Sequence, residues 1–108
     1  MTPTTISTDA DVATLINVFT VAPEKQQALV KVLTTATEEV IGHRPGYVSA
    51  NIHASTDGTR VVNYAQWTSA EALQAMFADP ECQEHMSAAL ALAECEPHLY
   101  TVESVHHA

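Results

Sequence analysis

Apolar and polar positions along this chain follow two different periods, and the changes of period mark its elements. Ala13 to Val21 (A-T-L-I-N-V-F-T-V) is rich in β-branched and aromatic residues and apolar on both faces, the composition of a buried strand, interrupted by one amide, Asn17. Strand alternation places Leu15, Asn17, Phe19 and Val21 on one face. From Pro23 the period lengthens. Leu29, Val32, Leu33, Ala36 and Val40 recur at three and four residues, which predicts an amphipathic helix of about five turns. Pro23 suits its first turn, Glu24 complements the positive end of its dipole, and Gly42 and Pro45 end it.

Gly46 to Ala54 returns to a period of two, with Tyr47, Ser49, Asn51 and His53 expected on one face and Val48, Ala50, Ile52 and Ala54 on the other. Thr56-Asp57-Gly58 reads as a turn, and Thr59 to Trp67 as a strand folding back on its predecessor in a hairpin. On that strand Val61, Asn63, Ala65 and Trp67 share a face. Ser69 caps a helix with Glu71 just inside it and an apolar stripe of Leu73, Met76 and Phe77. Asp79-Pro80 interrupts this helix. A further segment from Glu81 to about Ala93 resumes it, with Cys82, Met86, Ala89 and Leu90 inward and His85 beside them. Leu99 to Val105 is the last expected strand. Residues 1–11, rich in Thr, Asp and Ser, read as a flexible arm, leaving 12–108 as one domain.

The resulting order, β-α-β-β-α-β, is that of two split βαβ halves, the ferredoxin-like arrangement of an α+β protein. Right-handed crossovers are expected to set the first strand beside the third in parallel, with the fourth on its other side and the second at the edge. Asn17 and Asn63 then become neighbours.

A length of 108 residues with 46% hydrophobic and 16% charged positions supports one folded core. So small a domain leaves much surface exposed, which favours a homodimer. The net charge of -9 and the absence of a basic patch argue against nucleic acid and anionic membranes as partners. No apolar run approaches a spanning helix, and the first residues lack a signal-peptide pattern, so a cytoplasmic protein is expected. Cys82 and Cys95, thirteen residues apart, are expected as reduced thiols rather than a disulfide.

With glycine only at 42, 46 and 58, neither a dinucleotide fingerprint nor a phosphate loop is present. Ligand spacings for a metal and the elbow of a serine hydrolase are missing too. His106-His107 reads as a solvated tail. The chemistry left is a pocket between sheet and helices, walled by Phe19, Leu73, Met76 and Phe77, with His85 at its edge for lining or proton transfer and Asn17, Asn63 and Trp67 as polar handles. That composition suits a flat aromatic molecule carrying a few oxygens. Amides and an indole N–H donate hydrogen bonds to developing negative charge without titrating.

The run from Ala54 to Trp67, A-S-T-D-G-T-R-V-V-N-Y-A-Q-W, resembles the core motif of the antibiotic biosynthesis monooxygenase family. The likeness is nearest to its small cofactor-independent oxygenases of aromatic polyketides, of the actinorhodin and nogalamycin pathway type. The resemblance implies a ferredoxin-like fold with an antiparallel sheet, usually dimerised sheet to sheet as an α/β barrel. It implies oxidation of an anthrone-type substrate to a quinone by molecular oxygen, with no bound cofactor. Asn63 and Trp67 match motif residues implicated in oxygenation, and Asn17 matches an Asn of the nogalamycin-type branch. Leu73 stands where the actinorhodin-type branch has a Tyr, and Glu81 to Leu90 contains no Arg.

Two other readings remain open at the level of sequence. Haem-degrading members of the superfamily also pair an Asn on the first strand with a His on the later helix, here His85, although Met76 occupies the place of their haem-distorting Trp; other related domains act in quinone oxidation or oxidative ring cleavage, some with externally supplied reduced flavin. A non-catalytic ligand-binding dimer of the same fold is the other.

Overall fold

A computed structural model describes residues 3–108; the first two residues of the expected arm lie outside it. Strand β1 spans Ala13–Val21, β2 Tyr47–Ala54, β3 Arg60–Trp67 and β4 Ala93–Tyr100, while helix α1 spans Gln26–Glu39, α2 Ala70–Ala78 and α3 Pro80–Leu90. Single 3-10 turns at Pro23–Lys25 and Ile41–His43 extend α1 at both ends, so the expected long helix is a shorter one with tightened termini.

The four strands form one sheet in the order β2-β3-β1-β4. Every neighbouring pair is antiparallel, and the expected parallel pairing of the first and third strands is not what forms. The cause is the hairpin. A crossover through α1 makes β1 and β2 parallel, and β3 folds back from β2 into the gap between them, so it opposes both.

The last strand also differs from expectation, running over Ala93–Tyr100 and not Leu99 to Val105. Glu94, Glu96 and Pro97 disguised it as loop, but these residues suit an edge strand, where charge and proline blunt the free edge. Helix α3 correspondingly ends at Leu90, which faces solvent instead of the core.

Local chemistry fixes the joints. Ser69 caps α2 by accepting from the Ala72 N–H at 3.1 Å, and Asp79 caps α3 by accepting from the N–H groups of Glu81 and Cys82 at 2.9 and 3.1 Å. Arg44, arriving from the end of α1, pairs with Asp79 and Glu81 and ties the α2–α3 joint to the start of β2. In the hairpin turn the Asp57 carboxylate accepts from Ser55 Oγ, Thr59 N and Thr59 Oγ1 at 2.7–3.0 Å, and these bonds, Thr59's first, pull its pKa down to about 2. Buried Gln26 donates to the Ser55 and Arg60 carbonyls, both at 3.0 Å, locking this hairpin against α1.

The helices cover one face of the sheet. Beneath them the core is divided into two clusters, one around Leu15, Val40, Ala65, Trp67, Leu73, Met76 and Cys82, the other around Phe19, Val21, Leu29, Leu33, Val61 and Ala89. Cys82 and Cys95 are free thiols. The opposite face carries Ile16, Val62 and Tyr64 in a broad groove of about 590 Å³, bounded by Thr4 and Ile6. Thr4 donates to Asn51 at 2.6 Å, and Gln66 to the Thr5 carbonyl at 2.8 Å, so the arm lies along this face. No described helix is long and apolar enough to cross a membrane.

Candidate active site

The site occupies the seam between the two core clusters. Asn17 at the middle of β1 stands directly opposite Asn63 at the middle of β3, a pairing that puts Cα atoms about 4.5–5.5 Å apart. Both side chains point to the helix-covered face, where every other inward residue of these two strands is apolar: Leu15, Phe19 and Val21 on one, Val61, Ala65 and Trp67 on the other. Two amides at the centre of that face interrupt the hydrophobic packing. A cavity of about 30 Å³ remains, lined by Asn17, Asn63, Phe19, Tyr47, Trp67, Met76, Phe77 and Met86 among others.

The side-chain oxygens of Asn17 and Asn63 are buried and have no hydrogen-bond partner among the described residues. An unmet buried polar group costs about 1–3 kcal/mol, and such orphans are rare in natural folds. Paired on adjacent strands within an apolar cavity, they carry hydrogen-bonding capacity that the protein itself does not use. No charged side chain lines the cavity, so a hydrogen bond made there acts in a medium of low polarity.

Trp67 is 1% exposed and closes one end of the cavity. Its ring meets that of Tyr47 edge to face, with centroids 5.7 Å apart and planes at 85°. Tyr47 was expected on the opposite face of β2. The register shifts between Tyr47, which pairs with Trp67, and Ser49, which pairs with Gln66, leaving Val48 as an extra, exposed residue. This bulge turns Tyr47 toward the helices together with Ala50 and Ile52. Sequence alternation therefore missed Tyr47, and only the aromatic composition of its strand hinted at it. Burial raises the Tyr47 phenol above its ordinary pKa.

The other expected wall residues divide. Phe19, Met76 and Phe77 line the cavity, and Phe77 reaches from it to solvent at 36% exposure. Leu73 is buried in the core cluster beneath and does not line the cavity. His85 is half-buried on α3 and does not line it either, because the turn of α3 presents Met86 instead. Leu33, Thr37 and Ile41, from α1 and the 3-10 turn after it, complete the wall. Among the described residues no three of His, Cys, Asp or Glu gather at metal-binding distance.

Comparison with known proteins places this geometry. The model of the family described as antibiotic biosynthesis monooxygenase matches residues 13–88. Tetracenomycin-F1 monooxygenase of Streptomyces glaucescens is 50% identical over 93 residues, covering 86% of this chain and 83% of that protein. Among solved structures, ActVA-Orf6 of Streptomyces coelicolor, a monooxygenase in complex with nanaomycin D, superposes with a TM-score of 0.79 at 36% identity over 89% of this chain and 91% of its own. SnoaB of Streptomyces nogalater, a cofactor-independent oxygenase, superposes with a TM-score of 0.70 at 28% identity over 89% of this chain and 97% of its own. With the family model matched from the first strand into α3, and the motif from Ala54 to Trp67 forming the hairpin that carries Asn63, the chain belongs to the antibiotic biosynthesis monooxygenase family.

Proposed function

We propose that this monooxygenase converts an anthrone-type aromatic polyketide to the corresponding quinone with molecular oxygen and no bound cofactor. The observation that carries the reading is the opposed pair of amides, Asn17 and Asn63, within an apolar cavity, whose side-chain oxygens have no partner among the described residues, so that no bond within the protein holds either amide from turning its N–H to a ligand. Tetracenomycin-F1 monooxygenase and SnoaB, by their names a monooxygenase of tetracenomycin F1 and a cofactor-independent oxygenase, support it.

An anthrone is its own reductant. Loss of a methylene proton gives an enolate whose negative charge rests on the carbonyl oxygen, and amide N–H groups of Asn17 and Asn63 stabilise it there. The enolate passes one electron to dioxygen, the radical pair combines to a carbon-bound peroxide, and Trp67 holds that peroxide through its indole N–H. Loss of the second proton and cleavage of the O–O bond leave a carbonyl and one molecule of water. The methylene carbon thus loses two hydrogens and gains one oxygen atom. The protein supplies alignment, hydrogen bonds and exclusion of water. Phe19, Met76, Phe77 and Met86 wall the substrate; the flexible Met side chains and the half-exposed Phe77 give way to admit rings larger than the present cavity.

The test uses metal-stripped protein, a simple anthrone and air, with no flavin or nicotinamide. Quinone absorbance and oxygen uptake rise together, faster than with albumin. No acceleration, with or without reduced flavin, defeats this reading and favours a binding dimer.

We further propose that two chains pair through the open sheet face to form the dimeric barrel. The accessible surface is 6826 Å², against about 5800 Å² for an average monomer of this mass. Ile16, Val62 and Tyr64 form an apolar strip there, and the buried Tyr64 hydroxyl has no partner among the described residues. A dimer mass is expected in sedimentation, and Val62→Lys, which sets a charge at the centre of that strip, shifts it to monomer at micromolar concentration. A monomeric parent protein would rule the interface out.

A further inference from the structure

Resting on the oxygenase reading above, we propose that Tyr47 is a positioning residue for that reaction, holding the ring of Trp67 and so fixing the direction of its indole N–H. Four observations converge on it. The bulge at Val48 serves to turn this one side chain inward, at the residue paired across the sheet with Trp67. Its ring meets Trp67 edge to face at 5.7 Å and 85°. Both rings line the cavity that holds Asn17 and Asn63. Trp67 itself is 1% exposed, so its ring is held by close packing on every side.

The remainder of the Trp67 surroundings does not do this work. Leu15, Ala65, Leu73 and Met76 are aliphatic or small and fill space without a preferred angle. An aromatic edge directed at an aromatic face does have one, because the ring quadrupoles favour the perpendicular arrangement. The pair is therefore a rigid aromatic end wall opposite the mobile side chains of Met76, Phe77 and Met86.

Trp67 is the only tryptophan of the chain, so its spectrum reports directly on this contact. Tyr47→Met and Tyr47→Leu, two non-aromatic replacements of different shape, are expected to weaken the near-ultraviolet tryptophan circular dichroism and lower its fluorescence anisotropy. On an anthrone they lower kcat by about 10-fold to 100-fold, as small misplacements of a reacting group do, with KM changed by less. Tyr47→Phe keeps the ring edge and recovers both the spectrum and turnover to within about threefold of the parent.

An unchanged tryptophan spectrum in folded Tyr47→Met or Tyr47→Leu overturns the proposal. So does a Tyr47→Phe variant as slow as they are, which would assign the role to the hydroxyl. The spectra need no substrate, so an inactive parent protein would defeat the oxygenase reading while the Tyr47–Trp67 contact is still judged on its own signal.

Discussion

Replacing Asn63 with alanine lowers kcat on an anthrone by about 10²–10³-fold, the effect of removing one donor from a preorganised oxyanion site, while the protein stays as stable as before or becomes slightly more so. The two halves of this result concern the two ends of one amide, the N–H that donates to the enolate and the oxygen that burdens the fold. The Asn63 side-chain oxygen is buried and unpartnered, so the amide contributes little to the fold and burdens it by about 1–3 kcal/mol. Truncation removes that burden and widens the cavity, and the two changes offset each other. The substrate enolate has no such compensation, because water excluded from the cavity cannot replace the lost donor. Asn63→Asp is expected to be slower still, since a carboxylate opposes the developing negative charge instead of stabilising it. Steady-state quinone formation and a thermal melt on each variant decide the matter. Full turnover in Asn63→Ala would take this residue out of the mechanism; a large drop in melting temperature would make its role structural.

Gly46→Ala destabilises the fold by about 2–5 kcal/mol, composed of left-handed backbone strain of about 1–2 kcal/mol and overpacking of about 1–3 kcal/mol. Gly46 has φ +88°, and a Cβ on it would lie 2.4 Å from Ala72 Cβ and 2.8 Å from Thr68 Oγ1. Neither neighbour can withdraw easily. Thr68 donates its N–H to the Gly46 carbonyl at 2.8 Å, and Ala72 sits in the first turn of α2, whose start is capped by Ser69. Gly58 provides the control. It has a similar φ of +82° but open surroundings, its added Cβ meeting Pro23 Cβ at an ordinary 3.5 Å. Gly58→Ala should therefore show the strain without the clash. Urea unfolding of both variants separates the two contributions, and equal losses would mean that α2 shifts freely away from the β2 entrance. Such freedom would also loosen Tyr47, which follows Gly46 directly.

These two positions show how unevenly the molecule could be read from its residues. The periods of apolar recurrence placed β1 over Ala13–Val21 without error and β3 within one residue, because both strands are buried and their composition leaves no competing pattern. The oddity of one amide in β1 and another in the A-S-T-D-G-T-R-V-V-N-Y-A-Q-W motif was enough to single out Asn17 and Asn63, and the order of elements sufficed to make them neighbours. The cap at Ser69 and the break at Asp79-Pro80 were equally plain, since each is a local interaction between a side chain and the nearest backbone.

What failed depended on partners distant in sequence. Strand β4 is polar because it lies at an edge, and an edge strand advertises its place in the sheet rather than its own propensity. The sense of the β1–β3 pair followed from where the hairpin inserts. Leu90 and His85 sit on a helical stripe whose rotation about the helix axis is set by packing: Met86, expected inward, lines the cavity, while Leu90, expected inward, faces solvent and His85 does not line the cavity.

By itself, then, the sequence determined the element types, the amide pair and the family motif, all of which rest on neighbours a few residues apart or on alternation within one strand. The tertiary structure alone decided that Tyr47 turns inward at a bulge to meet Trp67, that the amides lie unpartnered in a closed seam, and which helical side chains wall that seam. A bulge has no dedicated residue code and an unmet hydrogen bond is defined by everything around it, so neither exists until the sheet and the helices have packed.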